Sequence, residues 1–331
     1  MAKAIIMGID GQDGSYLADL LLSKEYEVIG WIPNGISVSY ENINHILDRL
    51  TIVEGDFQDQ AGLFDLLDLH QPEELYNLAS PSFPSSSWEN LIYKSDVMVL
   101  GVARLLEAIR LKSPHTKFYQ ASSSELFGEP VEVPQNENTP FRPRNPYGIA
   151  KLYAHWLTKN YRKKYDLFAV SGILFNHESP RRGIQYVTRK ISQGAVEIKL
   201  GLRDELLLGN LDASRDWGYA KDYVKAMWLM LQQDDPDNYV IGTGKTHSVG
   251  EFCEIAFNYL GLDYKDHVKV SKEFYRAEEN KQLVADNTKA REHLGWEPEI
   301  SFLNLVNLMV ENDYKLMQDL PKESRLPGGD I

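Results

Sequence analysis

The chain has 331 residues, 43% of them hydrophobic and 25% charged, as in an ordinary soluble globular protein. Its net charge of -13 excludes general nucleic-acid binding but leaves room for a local basic pocket that takes a small phosphorylated ligand. The single cysteine, Cys253, excludes an intrachain disulfide and reads as a small buried apolar residue, and with no transmembrane-length apolar run and no signal peptide the expected location is cytoplasmic.

The first 175 residues alternate short apolar strands with helical patterns, which predicts a parallel sheet covered by helices on both faces. Strands are expected at Ala4–Met7, Glu27–Trp31, Leu50–Val53, Glu74–Asn77, Lys117–Gln120 and Phe168–Leu174. Helices are expected at Ser15–Leu22, around Trp88–Arg110 and at Tyr147–Tyr161. After Asn176 the loops lengthen and strands become isolated. Tyr219–Leu231 reads as a helix, Ser248 and Glu251 have capping-box spacing, and Ser301 caps a last helix from Phe302 to about Met317. The expected division is residues 1–175 for the dinucleotide and 176–331 mainly for a substrate, interleaved with late elements of the first part. The tail after Leu326 is expected to fray.

Gly8-Ile9-Asp10-Gly11-Gln12-Asp13-Gly14 has the spacing G-x-x-G-x-x-G between a strand and a helix. Glycines there allow a tight turn and close approach of the backbone to a pyrophosphate, which the helix N-terminus stabilises. Asp56, after the third strand, suits either an adenine contact or a cap of the following segment. An acidic residue at the end of the second strand would favour NAD and an arginine NADP. Trp31-Ile32-Pro33-Asn34 carries neither.

Tyr147 and Lys151, four apart, share one helix face. An ammonium beside a phenol is expected to lower its pKa and make it a base for a sugar hydroxyl. The Ser122-Ser123-Ser124 strand end supplies hydroxyls to hold the substrate oxygen, or else caps the next element. Glu125 has no task in simple alcohol oxidation; a second base beside the first points to a second proton abstraction, from carbon.

Taken together, the glycine loop, Phe118–Leu126, Pro146–Ala154, Gly172–Gly183, Leu208–Ala213 and Arg215–Gly218 resemble the extended short-chain dehydrogenase/reductase family, and within it the sugar-nucleotide dehydratases, most closely the GDP-mannose 4,6-dehydratases. Phe175–Gly183 is the most specific of these segments. The resemblance implies a Rossmann-type doubly wound parallel sheet with a smaller α/β C-terminal substrate lobe. It implies a redox-neutral reaction on GDP-D-mannose: oxidation at C4 by Tyr147 with Lys151, removal of the C5 proton by Glu125, loss of water from C6, and return of the hydride to C6. Ser123 is implied to hold the 4-oxygen and Ser124 to lie beside the leaving hydroxyl.

On the cofactor side the resemblance implies Gly8, Gly11, Gln12, Asp13, Gly14, Asp56, Phe57, Leu78, Ala79, Ser80, Tyr93, Lys151, His177 and Arg182. On the substrate side it implies Ser82, Ser124, Asn176, Lys190, Asn210, Arg215 and Arg276, with no metal. NADP is the implied cofactor, with NAD left open, and a homodimer built on the two long helices is implied, with a tetramer left open. Three segments depart from the family. Asp10 replaces a threonine, Pro33–Ser39 lacks the usual Arg-Arg, and Tyr275–Lys281 differs at the nucleotide end. The rivals are another nucleoside-diphosphate-hexose dehydratase, a GDP-4-keto-6-deoxy-sugar reductase or epimerase, and a dinucleotide-sensing regulator that has lost catalysis.

Overall fold

Runs rich in Val, Ile and aromatic residues pair as strands, because such side chains fit a pleated surface buried on both faces. The computed structural model describes residues 1–35, 39–80, 88–271 and 282–319. It begins with β1 (Lys3–Met7), α1 (Gln12–Ser23), β2 (Glu27–Pro33), β3 (Leu50–Gly55), α2 (Gln60–His70) and β4 (Glu74–Asn77). Next are α3 (Leu91–Ser95), a π-helical turn (Asp96–Leu100), α4 (Gly101–Lys112), β5 (Lys117–Ser123), α5 (Pro146–Tyr165) and β6 (Ala169–Leu174). Then follow β7 (Asn176–Glu178), α6 (Val187–Lys199), β8 (Leu206–Leu208), β9 (Ser214–Tyr219), α7 (Ala220–Leu231) and β10 (Tyr239–Ile241). The last are β11 (Thr246–Ser248), α8 (Val249–Tyr259), α9 (Tyr264–His267), β12 (Val268–Val270), α10 (Thr288–Leu294) and α11 (Phe302–Asp319).

Seven parallel strands form the main sheet in the order β10-β6-β5-β4-β1-β2-β3. One face packs Leu17 and Leu21 of α1, Tyr223 and Met227 of α7, and Trp296 into a single core. The other packs Leu63 and Leu67 of α2, Leu105 and Ile109 of α4, and Ala154 of α5. This is the doubly wound arrangement expected. The strand order reverses between β1 and β4, which opens a crevice at the carboxyl ends of the strands. A smaller α/β lobe combines the β11-β9-β7 and β12-β8 sheets with α6, α8 and α11 around Ile191, Trp217, Phe252, Phe257 and Met309. Cys253 lies in that core with no exposed surface.

Several boundaries differ from expectation for local reasons. α1 starts at Gln12 instead of Ser15, because Gly11 already serves as its N-cap. The long helix near residue 90 starts at Leu91 and passes through the π-turn before continuing to Lys112. α5 starts at Pro146, where Asn145 caps it by accepting from the Gly148 amide at 2.8 Å. The Ser248–Glu251 capping box forms as read. α6 escaped the sequence reading because its polar composition hides one apolar face, Ile191, Ala195, Val196 and Ile198. No helix of the described residues is long and apolar enough to cross a membrane. The expected frayed tail lies outside the described residues.

Candidate active site

The glycine turn after β1 is built for close approach. Gly8 has a left-handed φ of +80°, and a Cβ added to Gly14 would stand 2.2 Å from the Gly8 carbonyl oxygen. Helix α1 therefore starts tight against the turn, and Gly11 to Gly14 at its N-terminus, where the first amides have no intrahelical acceptor, line the crevice. A groove of about 610 Å³ runs from here along the carboxyl ends of six strands, from Gly8 after β1 through Asn34, Asp56, Ala79 and Ser123 to Asn176. Among the described residues, this bare backbone cradle at a topological switch point fits a dinucleotide pyrophosphate.

Tyr147 and Lys151 reach the groove from the first turns of α5, and both are buried. The Lys151 Nζ donates to the Ala121 carbonyl at 2.9 Å and lies 5.6 Å from the centre of the Tyr147 ring. Burial pulls the Lys151 ammonium down to about 8, against the charge of Asp13, which raises it. The expectation of a depressed phenol is not met in this structure. Burial pushes the Tyr147 hydroxyl above its ordinary value, and Tyr186 and, to a smaller extent, Glu125 add to this, while a hydrogen bond with Ser123 and the charge of Arg182 oppose it.

Ser123 ends β5. Its Oγ accepts from the Glu125 amide at 3.2 Å and so caps the short turn Ser124–Leu126. The capping reading of this serine is met, and the same side chain faces the Tyr147 hydroxyl. Glu125 lines the same groove, and its Oε2 accepts from the Asn145 side-chain amide at 2.9 Å.

A second polar cluster sits at the start of α1. His177 Nε2 faces Asp13 Oδ2 at 2.8 Å, and Gln12 donates to the His177 carbonyl at 3.1 Å while accepting from Ser179 at 2.8 Å. Burial opposes both charges. The pairing outweighs it, raising the imidazole and lowering the carboxyl from their ordinary values. Arg182 pairs with Glu178 at 3.2 Å and lies over the Tyr186 ring, 3.5 Å from its centre.

Every residue expected at the catalytic and cofactor positions lines this groove, as do Ser124 and Asn176. Lys190, Asn210 and Arg215 do not. Lys190 is on α6 and Arg215 on β9, in the smaller lobe, while the Asn210 Oδ1 accepts from the Asp212 amide at 3.0 Å. Ser82 and Arg276 lie outside the described residues, as does the departure at Tyr275–Lys281. Asp56 Oδ1 holds the Gln58 amide at 2.8 Å, and the cap of α2 is Asp59. Sequence reasoning passed over Tyr186, which follows the Arg181-Arg182-Gly183 segment, and Asn145, the residue before Pro146-Tyr147. No group of three or more His, Cys, Asp or Glu side chains among the described residues is placed to hold a metal ion.

A family model described as GDP-mannose 4,6 dehydratase matches residues 5–309. The chain belongs to the GDP-mannose 4,6-dehydratase family. GDP-mannose 4,6 dehydratase 1 of Arabidopsis thaliana is 48% identical over 325 residues, covering 95% of this chain and 90% of the relative. In fold, the chain is similar to the UDP-glucose 4-epimerase of Thermotoga maritima, with a TM-score of 0.84, 26% identity, and 96% and 99% of the two chains covered. It is also similar to a dTDP-glucose 4,6-dehydratase of Bacillus anthracis, solved in complex with NAD, with a TM-score of 0.84, 23% identity, and 96% and 97% covered. As a member of the dehydratase family, the chain is a hydro-lyase acting on a sugar nucleotide, so the reductase and regulator readings fall away.

Proposed function

We propose that the groove dehydrates GDP-D-mannose to GDP-4-keto-6-deoxy-D-mannose, with Tyr147, Lys151, Ser123 and Glu125 as its catalytic residues. The observation that carries this is the convergence of Glu125 with the Tyr147–Lys151 pair on the cavity opened by the glycine turn. The turn, with Gln12, Asp13, Asp56, Phe57, Leu78, Ala79, Ser80, Tyr93, His177 and Arg182, would hold a nicotinamide dinucleotide, such as the NAD described for the Bacillus anthracis enzyme of this fold. When bound, that cofactor supplies an acceptor for the C4 hydride, a donor for C6, and a positive charge that joins Lys151 in favouring the phenolate.

Tyr147 then takes the 4-hydroxyl proton while Ser123 holds the oxygen. The C4 ketone acidifies the C5 hydrogen, which Glu125 removes. The same carboxyl delivers that proton to the C6 hydroxyl as it leaves as water, C5 takes a new proton from solvent as C6 is reduced, and Ser124 lines the groove here. We assign Asn176, Lys190, Asn210 and Arg215 to the diphosphate and nucleotide, with Ser82 and Arg276 outside the described residues. Residues 1–175, joined by α7, β10 and α10, form the dinucleotide half in this reading, and the smaller lobe takes the sugar nucleotide.

The resemblance implied NADP. Two observations support NAD instead: Asp10, Asn34 and Asp56 line the groove, and Pro33–Ser39 contains no lysine or arginine. A free 2′-hydroxyl suits these groups better than a 2′-phosphate. A homodimer is supported by exposed Leu91, Ile92 and Leu100 on the α3–α4 segment and by Ile149, Tyr153 and Trp156 on the neighbouring α5. The deciding experiment supplies GDP-, UDP-, CDP- and dTDP-hexoses in deuterated water. Only GDP-mannose should give a 4-keto product, labelled at C5; turnover of another hexose alone, or an unlabelled product, overturns the reading.

A further inference from the structure

Asn145 stands outside the residues assigned above, yet its one side chain makes two bonds that matter to them. Its Oδ1 accepts from the Gly148 amide at 2.8 Å, capping the helix that carries Tyr147 and Lys151. Its Nδ2 donates to Glu125 Oε2 at 2.9 Å. Only one orientation of the amide satisfies both, since a backbone N–H needs an acceptor and a carboxylate a donor. The residue is 5% exposed; its bond to Gly148 is buried and its bond to Glu125 partly buried. The backbones meet as well: a Cβ on Gly148 would stand 2.7 Å from the Glu125 carbonyl oxygen.

We propose that Asn145 is a positioning residue that locks the carboxylate of Glu125 to the Tyr147 helix and selects Oε1 as the oxygen that moves the proton. The inference rests on Glu125 being the C5 base. Oε2 is occupied by the Asn145 donor, whereas Oε1 has no hydrogen-bond partner among the described residues. In the elimination the C5–H bond breaks and its proton goes to Oε1. The electron pair left on carbon is held by the C4 ketone as an enolate. That pair then forms the C5–C6 double bond as the C6–O bond breaks, and the leaving oxygen takes the Oε1 proton and departs as water. A carboxyl that rotated between these events would present the wrong oxygen to the leaving group. The Asn145 bond prevents this by remaining on Oε2 whether Oε1 is charged or protonated.

The test uses Asn145→Ser and Asn145→Asp, because both residues serve as helix N-caps and so separate the cap from the Glu125 bond. Both variants should fold with melting temperatures close to that of the unaltered protein and bind the dinucleotide normally. Serine is too short to bridge to Glu125, so kcat should fall several-fold with little change in KM. Aspartate sets a second carboxylate against the first. There kcat should fall about tenfold or more, and the acidic limb of the kcat–pH profile should move up by about one pH unit. Tyr147 and Lys151 of α5, with Arg182 and Tyr186 before α6, are the other titratable or charged groups lining the groove on this side. Burial holds the Tyr147 phenol above its ordinary value, so a shift confined to the acidic limb belongs to Glu125, and a shift of the basic limb alone would overturn the assignment.

Because C4 oxidation does not use Glu125, both variants should accumulate reduced dinucleotide during turnover, seen by its absorbance. Wild-type kcat, pH profile and reduced-dinucleotide level in both variants would overturn the positioning role. Full activity of Glu125→Gln would instead overturn the base assignment beneath it, so the two failures are told apart.

Discussion

Both ring nitrogens of His177 face acceptors: Nε2 meets Asp13 Oδ2 at 2.8 Å and Nδ1 meets the Phe175 carbonyl at 2.7 Å. Only the imidazolium has a proton for each, so the pair is an ion pair at the root of α1. Its stabilisation has a definite pH window. The raised imidazole contributes in full below the ordinary histidine value and loses that contribution as pH rises through its folded pKa. The lowered carboxyl contributes in full above the ordinary aspartate value and loses it as pH falls through its folded pKa. His177→Gln should therefore cost about 1.5–3 kcal/mol at pH 5.5–6, and the gap in melting temperature from wild type should narrow towards pH 9. A gap that is constant across this range refutes the ion pair.

Glu125→Gln keeps the shape of the side chain and a hydrogen-bond partner for Asn145 but cannot take a proton. It should lower kcat by about 10²–10⁴ while melting temperature and dinucleotide affinity remain close to wild type. In deuterated water the substrate recovered part-way through the slow turnover should carry no deuterium at C5. Retention of more than about a tenth of the wild-type rate would remove Glu125 from the role of C5 base.

How far these features were legible in the chain depends on their range. The glycine turn and the Tyr147–Lys151 pair are local patterns, so their positions on strand, turn and helix followed from spacing alone. Asn145 could be seen as a cap of α5, but its bond to Glu125 crosses from one element to another and has no local signature. The Asp13–His177 pair spans 164 positions and is created only when β7 comes to lie beside the start of α1. The phenol of Tyr147 was expected to be depressed by Lys151. The helix spacing was right and the direction was not, because burial, a property of the packed structure, dominates both groups. In the smaller lobe, strands such as β8, β11 and β12 are three residues each, too short to show a period of two.

Lys151 offers a direct check on that burial. With isotope-labelled lysine, one ammonium of the cofactor-free protein should titrate near pH 8, apart from the other lysines, and vanish from the spectrum in Lys151→Met. Asp13 supports the charged form, so Asp13→Asn should move this titration lower still. A Lys151 that titrates with the surface lysines would mean that water reaches the site.

The exposed apolar residues on the α3–α4 segment and α5 give the proposed dimer its own test. Ile92 is 87% exposed, so Ile92→Asp disturbs no intrachain packing. A carboxylate inside an apolar interface should shift the protein to monomer in sedimentation or light scattering, with the melting behaviour of the separated monomer near that of the parent. A parent protein that is already monomeric at micromolar concentration removes the proposed interface.

Cofactor selectivity turns on the charge at the ends of β1, β2 and β3. Asp10, Asn34 and Asp56 line the groove there, and in the NAD reading proposed above a 2′-phosphate would add a dianion to an end of the groove that already holds two carboxylates. Purified protein denatured to free its dinucleotide should release NAD, and titration of the stripped protein should show tighter binding of NAD⁺ than of NADP⁺. Asn34→Arg places a guanidinium at the end of β2, where it can make charge-assisted bonds to a phosphate. Combined with Asp10→Thr, which removes a carboxylate, it should strengthen NADP⁺ binding by about tenfold, or about 1.4 kcal/mol. Binding of NAD⁺ should change far less, since its 2′-hydroxyl carries no charge. Tighter NADP⁺ binding by the unaltered chain would mean that cations outside Pro33–Ser39 serve the phosphate.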